Sequence, residues 1–217
     1  MIYVERCNLA IWTSPKVMST SLKHLALVFE DSDATENARE FAPWRRFFSP
    51  NDRGQAHKRY PTRSFETTQV PPNALHIAVV RHPYARFIST YESRVRNKRK
   101  SDAAAWRKIS LFGLPDVPTP TFLIDNIGEY MRRHPPLRHH LLPQTHFLGV
   151  RAKMFEQVFR MTDLNPFRTF LEALMGTSIH LPHKQRSERS TIQLNDCDKR
   201  KLDAIYRSDF ETYGRFM

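Results

Sequence analysis

The sequence predicts an α/β fold in a single domain spanning residues 1–217, and three observations carry that prediction. Two short apolar runs, Asn8–Thr13 and Leu75–Val80, each lead through a turn into a segment of helical periodicity. A crossover of about sixty residues separates the two units, as parallel strands require. The chain is 40% apolar and 26% charged over 217 residues, enough to bury a real core and outside the collagen-like, disordered and disulfide-framework classes.

The first strand ends at Ser14-Pro15. Leu22, Leu25, Ala26 and Phe29 then share one face of a helix over Ser19–Phe29. Residues 30–72 lack a clear period and contain Ser49-Pro50-Asn51-Asp52 and Pro71-Pro72, which predicts irregular structure broken by short helices. Leu75-His76-Ile77-Ala78-Val79-Val80 is β-branched and almost wholly apolar, the pattern of a strand covered on both faces. Pro83 suits a first helical position, and Tyr84, Phe87, Ile88 and Tyr91 continue at helical spacing. Ser110–Pro120 reads as a loop, Phe122–Arg133 as an amphipathic helix stopped by Pro135-Pro136, and Val158–Met161 as a further strand. Asn165-Pro166 opens a helix running to Gly176, and Leu202, Ile205, Tyr206, Phe210 and Tyr213 mark the last helix. No repeat, low-complexity tract or linker divides the chain.

A formal charge of +12 and a pI near 10.0 point to an anionic partner: nucleic acid, membrane surface, nucleotide or acidic glycan. Residues 81–108 hold nine basic side chains against two acidic ones. Within them, the run Arg94–Lys100 reads either as a solvated helix face or as a polyanion contact. No apolar stretch is long enough for a membrane-spanning helix and the first residues lack a secretory layout, so a cytoplasmic location is the expectation, with a Golgi lumen requiring a removed anchor. Cys7 and Cys197 are too far apart in sequence for a ligand pair and read as reduced thiols.

Two segments carry chemistry. Ser14-Pro15-Lys16-Val17-Met18-Ser19-Thr20-Ser21-Leu22-Lys23 sets a lysine and three hydroxyls where a strand becomes a helix. Free amides and the positive helix end favour an anion there. The segment has no glycine, so a Walker A loop and its ordinary phosphoryl chemistry are disfavoured; the competing reading is a capped helix beside a solvated lysine. The second segment runs from Val79-Val80-Arg81-His82-Pro83 through Arg86 to Ser89 and Tyr91. Arg81 leaves a strand end, and Ser89 stands about two turns into the helix, within reach of one anionic group.

Pro-Lys-x-x-Ser-Thr-Ser followed by Val-Arg-x-Pro-x-x-Arg-x-x-Ser-x-Tyr resembles the two donor motifs of the sulfotransferases, most closely the carbohydrate group with the chondroitin/HNK-1 and heparan-uronyl 2-O enzymes and their bacterial relatives. The resemblance implies a P-loop-like central parallel sheet flanked by helices and the donor 3′-phosphoadenosine 5′-phosphosulfate, with the 3′,5′-bisphosphate as product. Lys16 with Val17, Met18, Ser19, Thr20 and Ser21 would hold the 5′-phosphosulfate, and Arg81 with Ser89 the 3′-phosphate. Pro143-Gln144, Phe147-Leu148 and His183-Lys184-Gln185-Arg186-Ser187 are weaker echoes. Ser187 is the expected donor-closing contact, with Gln185 a departure from the family's asparagine.

In-line sulfonyl transfer needs the leaving charge stabilised and the acceptor proton removed, and it needs no metal. Lys16 is expected in the first role. For the second, ten histidines are available, and family placement favours His57 over an exposed-loop reading. His24 and His76 read as structural. His134, His139, His140 and His146 lie among prolines without a cysteine or carboxylate at ligand spacing, so no metal site is expected. The expected acceptor is a carbohydrate hydroxyl. A small alcohol or phenol would use an apolar pocket, and Trp44, Phe47 and Phe48 read either as part of such a pocket or as core. A nucleic-acid-binding module has charge as its main support but no helix-turn-helix, zinc-finger or RNP signature, so no nucleic-acid partner is expected. The intact Lys16, Arg81 and Ser89 argue against a degenerate fold that binds nucleotide without turnover.

Overall fold

Both apolar runs form strands in the computed structural model of the chain, which describes residues 1–30, 50–97, 102–179, 181 and 191–217. The sheet has four strands, β1 (Ile2–Val4), β2 (Leu9–Trp12), β3 (Leu75–Val80) and β4 (Gln157–Arg160), in that spatial order. β2, β3 and β4 are parallel, with Trp12 opposite Ala78 and Val80 opposite Arg160. All four residues of β2 and the last four of β3 are buried, as strands covered on both faces must be. Helices flank this mainly parallel sheet, giving the expected α/β architecture.

β1 is a strand that the sequence reading leaves out. It pairs antiparallel with β2, placing Ile2 opposite Ile11. The chain reverses through a 3₁₀ turn at Glu5–Cys7 and then Asn8, whose φ of 47° lies in the left-handed region that asparagine tolerates. Asn8 Nδ2 also donates to the Asn73 carbonyl at 2.8 Å, tying the turn to the start of β3.

Contacts group the chain into two compact units. The first comprises Met1–Arg81, Gln144–Gln185 and Phe216–Met217. It contains the sheet, α1 (Ser19–Glu30), α2 (Pro50–Arg59) and the helix Asn165–Met175. Its core joins Ile11, Leu22, Leu25, Phe29, Ile77, Val79, Phe159, Phe167 and Leu171. The second comprises His82–Pro143 and Arg186–Arg215 and is helical, beginning with α3 (Pro83–Thr90). Its core joins Phe87, Tyr91, Trp106, Leu123, Tyr130, Leu137, Leu202 and Tyr206.

Several helix expectations are corrected in the second unit. Ala103–Leu111 is helical, so the expected loop begins after it and ends before Pro120, which opens a helix. The expected helix over 122–133 is two helices, Pro120–Asp125 and Ile127–Arg133, separated at Asn126. Pro135 does not stop structure but starts the helix Pro135–Leu141, because proline at the first turn forfeits no hydrogen bond and His134 Nδ1 accepts the Leu137 amide at 3.0 Å. In the first unit, Leu164 rather than Asn165 occupies the N-cap position of the helix running to Met175. The last helix likewise divides into Asp196–Ile205 and Arg207–Tyr213 at Tyr206.

Candidate functional site

The C-terminal ends of parallel strands are where α/β sheets present loops to ligands, because strand ends and helix starts leave unpaired amides there. β2 leads into the loop 13–18 and β3 ends just before Arg81, the two being adjacent strands of one sheet.

The first loop is held from beneath. Thr13 Oγ1 donates to the Val17 carbonyl at 2.7 Å, and the Val17 amide donates to the Ser14 carbonyl at 3.2 Å. Val17 and Ser14 are fully buried, and the Ser14 hydroxyl has no hydrogen-bond partner among the described residues. Lys16 and Met18 have φ values of 70° and 39°, left-handed conformations in which most phosphate loops place glycine. Each costs a non-glycine residue ~1–2 kcal/mol. Such local strain persists where surrounding contacts hold it, commonly at binding loops. The first hydrogen bond into α1 runs from the Leu22 amide to the Met18 carbonyl at 3.0 Å, so the amides of Ser19, Thr20 and Ser21 precede the helical ladder. With Lys16 half-buried beside them, the loop offers donors and positive charge, a chemistry suited to an anion.

Arg81 is tied to this loop. Its Nη1 donates to the Lys16 carbonyl at 3.0 Å. Its main chain is clamped at both polar atoms by Gln144, whose Oε1 accepts the Arg81 amide at 3.0 Å and whose Nε2 donates to the Arg81 carbonyl at 2.8 Å. Gln144 is fully buried. The sequence shows it only as part of a weak echo, because the partner lies 63 positions away and no local period marks the contact.

His57 on α2 is exposed and joins α1 through both ring nitrogens. Nδ1 is 3.1 Å from Lys23 Nζ and Nε2 is 3.4 Å from Thr20 Oγ1. Lys23 also donates to Thr62 Oγ1 at 2.9 Å. Lys23 is 1% exposed, and burial pushes its ammonium down to about 8. An ammonium has no acceptor capacity, so while Lys23 is charged the neutral imidazole carries its proton on Nε2. The sequence holds a usable signal for Lys23, which falls three residues after Thr20 on the same helical face.

The other expected residues lie on other elements. Ser89 is half-buried on α3, in the second unit. Ser187, the His183–Ser187 segment, Trp44, Phe47, Phe48 and Lys98–Lys100 lie outside the described residues. Within the basic run, Arg94 pairs with Asp102 at 2.9 Å and Arg96 with Glu92 at 3.2 Å. His76 accepts the Trp12 Nε1–H on Nδ1 at 3.0 Å, and His24 is buried in α1. His134 is a buried helix cap, and His139 and His140 lie on the helix that it opens. Among the described residues no group of three His, Cys, Asp or Glu side chains is placed to hold a metal ion, and no helix is long and apolar enough to cross a membrane.

A model of the sulfotransferase family matches residues 1–216. No curated protein and no solved structure matches the chain. The chain belongs to the sulfotransferase family, and its reaction is transfer of a sulfonyl group. That family generally uses 3′-phosphoadenosine 5′-phosphosulfate as donor.

Proposed function

We propose that this sulfotransferase moves the sulfonyl group of 3′-phosphoadenosine 5′-phosphosulfate to a hydroxyl of a carbohydrate, in a glycan or glycolipid, by in-line displacement. The observation that carries the donor assignment is the tie between the two motifs: Arg81 donates to Lys16 at the ends of adjacent parallel strands. When bound, the donor supplies an activated sulfonyl group on a leaving phosphate. The residues present fit such a group, since the loop combines a buried Ser14 hydroxyl without a partner among the described residues, three amides ahead of the helical ladder and the Lys16 cation.

Lys16 and the amides of Ser19, Thr20 and Ser21 stabilise negative charge as it grows on the leaving phosphate. Charge-stabilising donors of this kind contribute about a hundred- to a thousandfold each. Val17 and Met18 complete the loop; Arg81, with Ser89 by the family motif, serves the 3′-phosphate, and Ser187 is assigned to donor closure on the motif alone. His57 removes the acceptor proton. Exposed His57 sits beside the exposed cations Lys58 and Arg59, which supports an anionic saccharide as acceptor.

Calorimetric titration with 3′,5′-adenosine bisphosphate, with 5′-AMP as control, tests the donor site. Micromolar binding that needs the 3′-phosphate and weakens in Arg81→Ala supports it; equal binding of the two nucleotides refutes it. Radiolabelled sulfonyl transfer to uronic-acid glycans, neutral glycans and simple phenols tests the acceptor, and transfer to phenols alone would overturn the carbohydrate assignment.

A further inference from the structure

Lys23 is a buried cation that donor binding leaves without a role. Its amine contacts Nδ1 of His57 at 3.1 Å and the Thr62 hydroxyl at 2.9 Å, and no carboxylate pairs with it among the described residues. The charged groups around this patch are cationic. The buried Met1 amino group, just before β1, is pushed down to about 6, first by desolvation and then by Lys23 and Arg63. From α2, the neighbouring titratable group is His57 itself. The Glu30 carboxylate, almost two turns further along α1, is engaged by Arg59 and the Glu5 amide.

We propose that Lys23 is the positioning residue of His57 and the terminus of a proton relay: His57 Nε2 takes the proton of the acceptor hydroxyl while Nδ1 passes its own proton to Lys23 Nζ. The inference rests on the sulfonyl-transfer function proposed above. In the step, the acceptor O–H bond breaks and an Nε2–H bond forms; the Nδ1–H bond breaks and an Nζ–H bond forms. The neutral amine becomes an ammonium, nothing is oxidised or reduced, and solvent later removes the extra proton.

The geometry serves both ends of the step. Before it, Nδ1–H donates to the neutral amine; after it, the ammonium donates to Nδ1 across the same contact. The Thr62 hydroxyl is amphoteric and can donate to the amine or accept from the ammonium. Burial, with no counter-ion among the described residues, lowers the lysine to about 8, which brings the neutral amine within reach of ordinary pH. A solvated lysine, near ~10.4, would stay charged and keep the proton on Nε2.

Two measurements test the relay. In the free protein, nitrogen-15 NMR of His57 should show the ring proton moving from Nε2 to Nδ1 as pH rises through the titration of Lys23, and Lys23→Met should abolish that switch. In turnover, the wild-type kcat should rise through a midpoint near that of Lys23. Lys23→Met should move the midpoint down toward the ordinary imidazole value of ~6.5 and lower the plateau about tenfold. Lys23→Arg, charged at every pH, should lower the plateau about a hundredfold, with the affinity for adenosine bisphosphate unchanged in both variants. A lysine acting only as a nearby charge predicts the opposite sign, since a like charge 3.1 Å away depresses the imidazole and its removal in Lys23→Met would raise the midpoint. Absence of the tautomer switch, or a Lys23→Met profile with wild-type midpoint and plateau, overturns the relay. A switch without sulfonyl transfer to any acceptor overturns the functional assignment and the relay with it, while the Lys23–His57 proton coupling stands.

Discussion

The Arg81 guanidinium donates to the main-chain carbonyl of Lys16 at 3.0 Å, so the residue at the end of β3 braces the loop at the end of β2. Lys16 is held at a φ of 70° in that loop, and the brace supplies one of the contacts that hold it there. A residue assigned to the 3′-phosphate thus also shapes the loop assigned to the 5′ side.

Lys16→Ala should cost about a hundred- to a thousandfold in kcat, because it removes a preorganised charge from the leaving group. Steady-state sulfonyl transfer measures this, and circular dichroism should show an intact fold. A loss below threefold would assign the charge stabilisation to the amides alone.

Arg81→Lys should behave more like Arg81→Ala than like wild type. A lysine cannot bond the Lys16 carbonyl and engage a phosphate in the planar, multidentate way that a guanidinium can. Calorimetry with the bisphosphate should show at least about tenfold weaker binding in both, since a charged hydrogen bond contributes ~1.5–3 kcal/mol. Wild-type affinity in Arg81→Lys would refute the double role.

Gln144→Leu leaves the Arg81 amide and carbonyl without their side-chain partner in a buried setting. The penalty should be about 1–3 kcal/mol for each group left unsatisfied, read as a lower midpoint in urea unfolding. Bisphosphate affinity should fall as well, because Arg81 loses its fixed direction. Unchanged stability together with unchanged affinity would show that the clamp is dispensable.

Arg86, 1% exposed, donates through Nη1 to the His140 carbonyl at 2.9 Å and lies 5.0 Å from the centre of the Tyr206 ring. Its Nε and Nη2 are buried without partners among the described residues. Packing and polar desolvation therefore oppose each other at one side chain. Arg86→Ala should destabilise by about 2–4 kcal/mol through the cavity left, whereas Arg86→Met, which keeps most of the volume, should cost under ~1.5 kcal/mol. Thermal unfolding of the pair decides this, and equal losses would assign the cost to the hydrogen bond instead.

Acid should destabilise the fold in the imidazole range. Desolvation lowers the pKa of His76, His82 and His134, with Asp203 opposing at His82 and Asp102 at His134. The unfolded chain therefore binds these protons first, so stability is full above ~6.5 and falls as pH drops from there toward the depressed folded values. His134 is the sharpest case, since Nδ1 accepts the Leu137 amide and Nε2 is buried without a partner among the described residues. His134→Asn, which retains a capping acceptor, should flatten the fall of melting temperature between pH 7 and 5. An equally steep fall in the variant would place the acid sensitivity elsewhere.

The strand–turn–helix units were legible because their signals are local. The apolar run of β2 and the β-branched run of β3 read as strands, whereas Lys16 and the three hydroxyls after it leave two readings level by composition, an anion loop and a capped helix beside a solvated lysine. β1 escaped the reading because three residues, Ile2 to Val4, carry too little pattern to separate a strand from a ragged terminus. The helix at Pro135 was misread for a different reason. Proline both ends and begins helices, and only the His134 cap decides which.

Within the candidate site, sequence supplied the chemistry of the residues and structure supplied their partners. Lys16 and Arg81 stand out by type and position and His57 only through the family resemblance, and the family match over residues 1–216 agrees with the reaction class that the resemblance implies. Their couplings are not local. Gln144 meets Arg81 across 63 positions, Arg81 meets Lys16 across 65, and Lys23 meets His57 across 34. Periodicity and composition describe what neighbours along the chain favour, so they determined where strands, helices and donor groups arise. Which donor meets which acceptor, and whether a lysine is buried deeply enough to lose its proton near neutrality, depends on packing between distant segments and was decided by the tertiary structure alone.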